Sequence, residues 1–150
     1  MPYEQVEKIL GHARQFHHKL AEFYQKLDET SGKEDEIMAM VLSYLKDHEL
    51  KLEQRLSDFD RTAGKNAMET WVQFPPVDHI DELLQQFDPE RRMNLGDLLD
   101  LTLKFDSALI DFYQKAAECA PTERIAEIFE NLHREGKSER RRLVSGVFEY

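Results

Sequence analysis

Cysteine is almost missing from this chain: Cys119 is the single thiol among 150 residues, and it cannot close an intrachain disulfide. Six glycines and five prolines are too few for a turn-rich sheet protein. No apolar run approaches the length needed to cross a bilayer. Positive charge is in deficit, with 20 Lys and Arg against 30 Asp and Glu and a formal charge of −10. A phosphate backbone must be met by surplus cations, so sequence-independent nucleic-acid binding is excluded, and docking on anionic lipid is disfavoured on the same ground. The opening "MPYEQVEKIL" has neither the basic start nor the apolar stretch of a secretory signal, so a cytoplasmic protein with no membrane partner is expected.

What the chain does contain is 41% hydrophobic and 33% charged residues, the balance of long helices with charged outer faces. The length suits one domain, residues 1–150, with a core large enough to need no staple. From Tyr3 to about Glu29, apolar residues recur every three or four positions, at Val6, Ile9, Leu10, Ala13, Phe16, Leu20, Phe23, Tyr24 and Leu27. "ETSGKEDE" separates this helix from a second, and Ser31 with Glu34 forms a candidate capping box. The second helix carries Met38, Val41, Leu42, Leu45, Leu52, Leu56 and Phe59 before "RTAGKN" interrupts it. A third helix is predicted from Asn94 to the neighbourhood of Pro121, and a fourth turns Ile125, Ile128, Phe129, Leu132, Leu143, Val144 and Val147 inward. The connection between the second and third helices holds Pro75-Pro76 and a short amphipathic segment, "DHIDELLQQF", capped by Asp78.

The tetrapeptide FYQK occurs at 23–26 and again at 112–115. A displacement of 89 residues also superposes Phe16 on Phe105 and Leu20 on Leu109. Past the second, tighter loop a displacement of 87 matches Met38 with Ile125, Leu42 with Phe129 and Leu56 with Leu143. Agreement at apolar positions across two helices points to a duplicated helical hairpin. Each hairpin exposes an apolar face that the other can cover. The expected fold is therefore all-α: a four-helix bundle of hairpin 3–60, crossover 61–93 and hairpin 94–148.

With these features the chain resembles the ferritin-like superfamily, nearest its rubrerythrin-like branch, across both hairpins. In that family the first helix of each hairpin carries Glu seven residues before a Tyr and the second carries Glu-x-x-His, together holding two iron or manganese ions. Hard cations want carboxylate oxygens, and imidazole completes each coordination shell. Transferred to this chain, the position before Tyr24 is His17 and the position before Tyr113 is Asp106. The Glu-x-x-His positions read Glu49-Leu50-Lys51-Leu52 and Gly136-Lys137-Ser138-Glu139. Of the six family ligands, Glu49 alone is kept in type and place.

The resemblance thus implies a ferritin-like bundle with a degenerate metal site. His17, Glu49, Asp106 and Glu139 are the candidate metal ligands, all on inferred inward faces where an unpaired charge is costly. The competing reading is a buried polar cluster in which His17 bridges Asp106 and a glutamate. Tyr24 and Tyr113 read as core aromatics whose hydroxyls need partners. Glu130-Asn131-Leu132-His133 satisfies the bare Glu-x-x-His pattern in a register that would turn Leu132 outward, and is taken as coincidence. Arg140, Arg141 and Arg142 suit the negative end of a helix dipole. Trp71, Val72, Phe74, Ile80, Leu83, Leu84 and Phe87 form either a lid on the bundle or a subunit interface.

The leading functional expectation is a non-catalytic scaffold or binding protein, homo-oligomeric (a dimer) or docking another protein, with no cofactor. The alternative is a redox protein of the rubrerythrin or ferritin type that holds iron or another divalent transition metal at a nonstandard, mononuclear site.

Overall fold

The computed structural model describes residues 3–73 and 78–145, without the side chains of Asp60, Asp78, His79, Asp81 and Leu143. Its elements are β1 (Tyr3–Gln5), α1 (Val6–Thr30), α2 (Glu36–Thr62), α3 (Lys65–Met68), β2 (Trp71–Gln73), α4 (Asp78–Leu83), a 3-10 turn (Leu84–Gln86), α5 (Leu95–Cys119) and α6 (Glu123–Leu143). Helix α1 packs along α2 and α5 along α6, and α4 bridges the two hairpins by touching both α1 and α5. At ~1.5 Å per residue the 25 residues of α1 extend about 38 Å.

The duplication is visible in the core. In each FYQK copy the Phe and Tyr are buried, while Lys26 and Lys115 reach solvent. Phe16 and its counterpart Phe105 meet edge to face with ring centroids 6.2 Å apart, and Phe23 closes on the same Phe105 ring at 5.8 Å. Such T-shaped contacts align ring edges with ring faces, adding about 0.5–1.5 kcal/mol each to the stabilisation from burial. Val6, Ile9, Tyr24, Leu27, Leu42, Leu98 and Phe129 are completely enclosed or nearly so.

Two helix starts differ from the sequence expectation. The first helix begins at Val6, because Tyr3–Gln5 instead pairs antiparallel with Trp71–Gln73. The alternation of that ribbon buries Val72 and leaves Trp71 and Gln73 exposed, and the Val6 amide continues the link by donating to the Thr70 carbonyl at 3.0 Å. This ribbon lies outside the four long helices. The second helix is capped by Asp35, whose carboxylate accepts from the amides of Ile37 and Met38, and not by a Ser31–Glu34 box. Ser31 is used elsewhere: its hydroxyl accepts from the Met93 amide at 2.9 Å, tying the first hairpin turn to the end of the crossover. Glu34 beside it makes a two-pronged contact with Arg92, at 3.0 and 3.1 Å. The turn also requires Gly32, where a Cβ would lie 2.0 Å from Oδ1 of Asp28.

The third helix starts at the expected place, with Asn94 and Asp97 forming a reciprocal capping box. Thr122 caps α6, and the three arginines 140–142 fall in its last turn.

The crossover packs mainly as a lid. Val72 and Ile80 are buried, and Leu83, Leu84 and Phe87 pack against the core, with Phe87 edge-on to Phe105 at 5.5 Å. Trp71 is exposed. Phe74 and Val147 lie outside the described residues, as do the cap expected from the Asp78 side chain and the inward placement of the Leu143 side chain. No helix among the described residues is long and apolar enough to cross a membrane.

Candidate functional site

Helical spacing puts His17 on the same inward face of α1 as Phe16, Leu20 and Tyr24, and places Glu49 opposite it on α2. Nδ1 of His17 lies 2.5 Å from Oε2 of Glu49, and each side chain is about 4% exposed. With Glu49 ionised the carboxylate can only accept, so Nδ1 carries the proton. This pairing takes up Nδ1 of His17 and Oε2 of Glu49 and leaves Nε2 and Oε1 outside it. His17 has no hydrogen bond to Asp106 among the described residues, so the expected bridge from His17 to Asp106 is replaced by a bond to Glu49 alone.

Asp106 is half-buried, on α5, and Glu139 is half-buried on α6. Burial pushes the Asp106 carboxyl up to about 7; the charge of Glu49 adds to the rise and Arg140 opposes it. Oε1 of Glu139 is held by two cations, Arg142 at 3.4 Å and Arg55 at 3.5 Å, and the His48 imidazole lies 3.8 Å from Oε2. Burial holds His48 below its usual range, against the upward pull of Glu49 and Glu139. Its imidazole is stacked on the exposed ring of Tyr44, with centroids 6.2 Å apart and planes within 6°.

Both bundle tyrosines are buried. The Tyr24 hydroxyl is pushed well up by burial and then by the charges of Glu49 and Asp106, and it lies 3.2 Å from the Thr102 hydroxyl. Burial, followed by Glu49 and Glu135, likewise raises Tyr113. Both are held as neutral phenols. Cys119, half-buried, has its thiol pushed up by burial and by Glu118, which suits an inert thiol.

His17, Asp106 and Glu139 share one cavity of about 310 Å³. Its walls are apolar, from Leu52, Leu56 and Phe59 on α2, Leu109 and Ile110 on α5, and Ile128 and Leu132 on α6; His48, Arg55, Glu135 and Arg140 also line it. Glu49 stands behind His17. Gly136 is part of the wall: a Cβ there would sit 3.2 Å from Cγ1 of Ile110, close enough that Ile110 would have to give by a few tenths of an ångström.

The donors present do not fit a dinuclear metal centre. His17 and Glu49 bind each other, Glu139 is paired with Arg55 and Arg142, and residue 136, where the resemblance calls for a carboxylate, is a glycine. No group of three or more His, Cys, Asp or Glu side chains among the described residues is arranged to hold an ion. Glu130 and His133 line a different, smaller pocket with Gln114 and Glu118, and Leu132 packs against the core, in keeping with a coincidental pattern. The histidines of the first helix do not assemble either: His12 pairs with Glu4 at 3.0 Å and exposed His18 with Glu22 and Glu53.

Sequence reasoning reached His17 and Asp106 through the tyrosine register and Glu139 through the Glu-x-x-His positions, but did not assign His48, Arg55, Ile110 or Arg140 to the site. The signal was present in part. Leu52 and Glu139 stand where the resemblance calls for imidazoles, and Leu52, an apolar residue at one of those positions, is in the cavity wall.

The fold so defined is a ferritin-like four-helix bundle. A crystal structure from Thermotoga maritima, provisionally described as a ferritin-like diiron-carboxylate protein, superposes on it with a TM-score of 0.61 at 16% identity, over 99% of this chain and 98% of that one. Similarity at that identity extends to the fold alone. No protein-family model matches the chain, and no curated protein matches it.

Proposed function

We propose that this chain is a non-catalytic, ferritin-like binding protein, related to the rubrerythrin-like branch, that has exchanged the dinuclear metal site for a pocket taking a small organic ligand. The observation carrying the reading is the 310 Å³ cavity lined by His17, Asp106 and Glu139, with mostly apolar walls and with His17, Glu49 and Glu139 paired to other groups. Ligand pockets of about 300–1,000 Å³ with apolar walls and a few convergent polar groups are the usual form of a small-molecule site. The self-contained His17–Glu49 bond and the cation-bound Glu139 support it further.

The alternative, a mononuclear redox centre at His17, Glu49, Asp106 and Glu139, draws support from three of these residues sharing one cavity. It is disfavoured because an ion drawing on Glu49 and Glu139 would compete for their charge with His17 and with Arg55 and Arg142. Methyl-resolved NMR during titration with a small arylalkyl probe tests the leading reading. Shifts concentrated on the methyls of Leu52, Leu56, Leu109 and Ile128 are expected; shifts confined to exposed Ile37 and Met40, or none, would defeat it.

A further inference from the structure

We infer that the occupant of this cavity is an arylalkyl or alkyl amine, its hydrocarbon body against the leucine and isoleucine walls and its ammonium group on the Asp106 carboxylate. The inference rests on the proposed binding function and specifies its ligand class. Size is the first constraint. An apolar protein cavity of about 150 Å³ accepts benzene, so about 310 Å³ suits a molecule of roughly a dozen non-hydrogen atoms.

Polarity is the second. Among the described residues no hydrogen bond or ion pair is made to the Asp106 carboxyl, whereas the other candidate acids have found partners: Glu49 in His17, Glu139 in Arg55 and Arg142. Two acids of the lining thus have capacity to spare, Asp106 and Glu135, and of these Asp106 is the half-buried one while Glu135 is exposed. A buried carboxylate without a partner is costly, and an ammonium ion donating to it would lift that cost. The upward displacement of its titration by burial is the expected signature of that deficit.

Charge balance is the third. The cavity is lined by Asp106, Glu135 and Glu139 against Arg55 and Arg140. His17 is matched by Glu49, and His48 is biased to the neutral form. With Arg55 and Arg142 committed to Glu139, Arg140 is the one lining arginine left for Asp106 and Glu135, and that pair of acids is short of one positive charge, which a cationic head supplies. A carboxylate ligand would find Arg140 but would place its own charge against those three acids.

Isothermal titration calorimetry of the intact chain with 4-phenylbutylamine, 4-phenylbutanol and 4-phenylbutyrate near pH 8 tests the assignment. The amine should bind about tenfold or more tightly than the alcohol, equivalent to about 1.4 kcal/mol. Asp106→Asn, checked for folding by circular dichroism, should erase that preference, the amine and the alcohol then binding with equal affinity. Equal affinities in the wild type, or preference for the carboxylate, would overturn the amine assignment and leave the cavity as a binding site. Failure of all three probes at millimolar concentration would overturn both.

Discussion

Nδ1 of His17 and Oε2 of Glu49 stand 2.5 Å apart in the core, joining α1 to α2. Removing one member strands the other without solvent. His17→Ala and Glu49→Ala should each cost about 3–5 kcal/mol in urea-unfolding free energy. The double change His17→Leu with Glu49→Met should recover most of the loss, because apolar side chains of similar volume need no partner. Additive losses in the double variant would show that the pair is not one energetic unit.

Asp106 gives a pH dependence of definite sign. Its carboxyl titrates at about 7 in the folded chain against 3.8 for the ordinary group. Between those values the folded protein keeps a proton that the unfolded chain releases. This contribution to stability is complete below pH 4 and is lost as pH rises through about 7. Asp106→Asn should therefore come level with the wild type only near pH 4 and exceed it by about 2 kcal/mol near pH 8, the full shift being discounted for partial exposure. Chemical denaturation at the two pH values checks this.

Gly136 separates the present site from the one the resemblance implies. Gly136→Ala gains about 1 kcal/mol of helix propensity but presses a methyl on Ile110, which can yield toward the cavity, so a net change within about 0.5 kcal/mol is expected. Gly136→Glu must push a carboxylate into the same contact and should destabilise by about 1–3 kcal/mol. Thermal melts of the two variants distinguish them.

The bond between Tyr24 and Thr102 is another buried commitment. Tyr24→Phe leaves the Thr102 hydroxyl unsatisfied and should cost about 1–3 kcal/mol. Adding Thr102→Val removes the orphaned group, and unfolding measurements should then show much of the loss restored.

At the helix starts, Asn94→Ala breaks the reciprocal box with Asp97 and should cost about 1 kcal/mol. Arg92→Ala removes only an exposed ion pair and should cost less than about 1 kcal/mol. Equal losses in thermal denaturation would contradict the ranking.

The four long helices and their duplication were readable because apolar spacing is local and repeated: Phe16 and Phe105, or Leu42 and Phe129, carry the same instruction in each half. The start of α1 was not. Tyr3–Gln5 takes its conformation from Trp71–Gln73, a partner almost seventy residues away that leaves no periodic mark on three residues. The Ser31–Glu34 box lost to Asp35 because Gly32 turns the chain and Ser31 reaches Met93 instead, a tertiary contact without a local signature.

At the site, the tyrosine register located His17 and Asp106, yet only geometry shows that His17 pairs with Glu49 in place of Asp106. Glu139 lies one helical turn from the cations that occupy it, and its pairing with Arg55 crosses between hairpins. Such choices depend on distances of a few ångströms between side chains whose order in the chain says nothing of their approach.

The decisive measurement is metal content by elemental analysis after purification without chelators, on chain supplied with iron and manganese. The expected result is far less than one ion per chain, with folding unaffected by the supply. About two iron or manganese ions retained per chain, as an intact ferritin-like centre would hold, would contradict the loss of the dinuclear site and the binding function built on it.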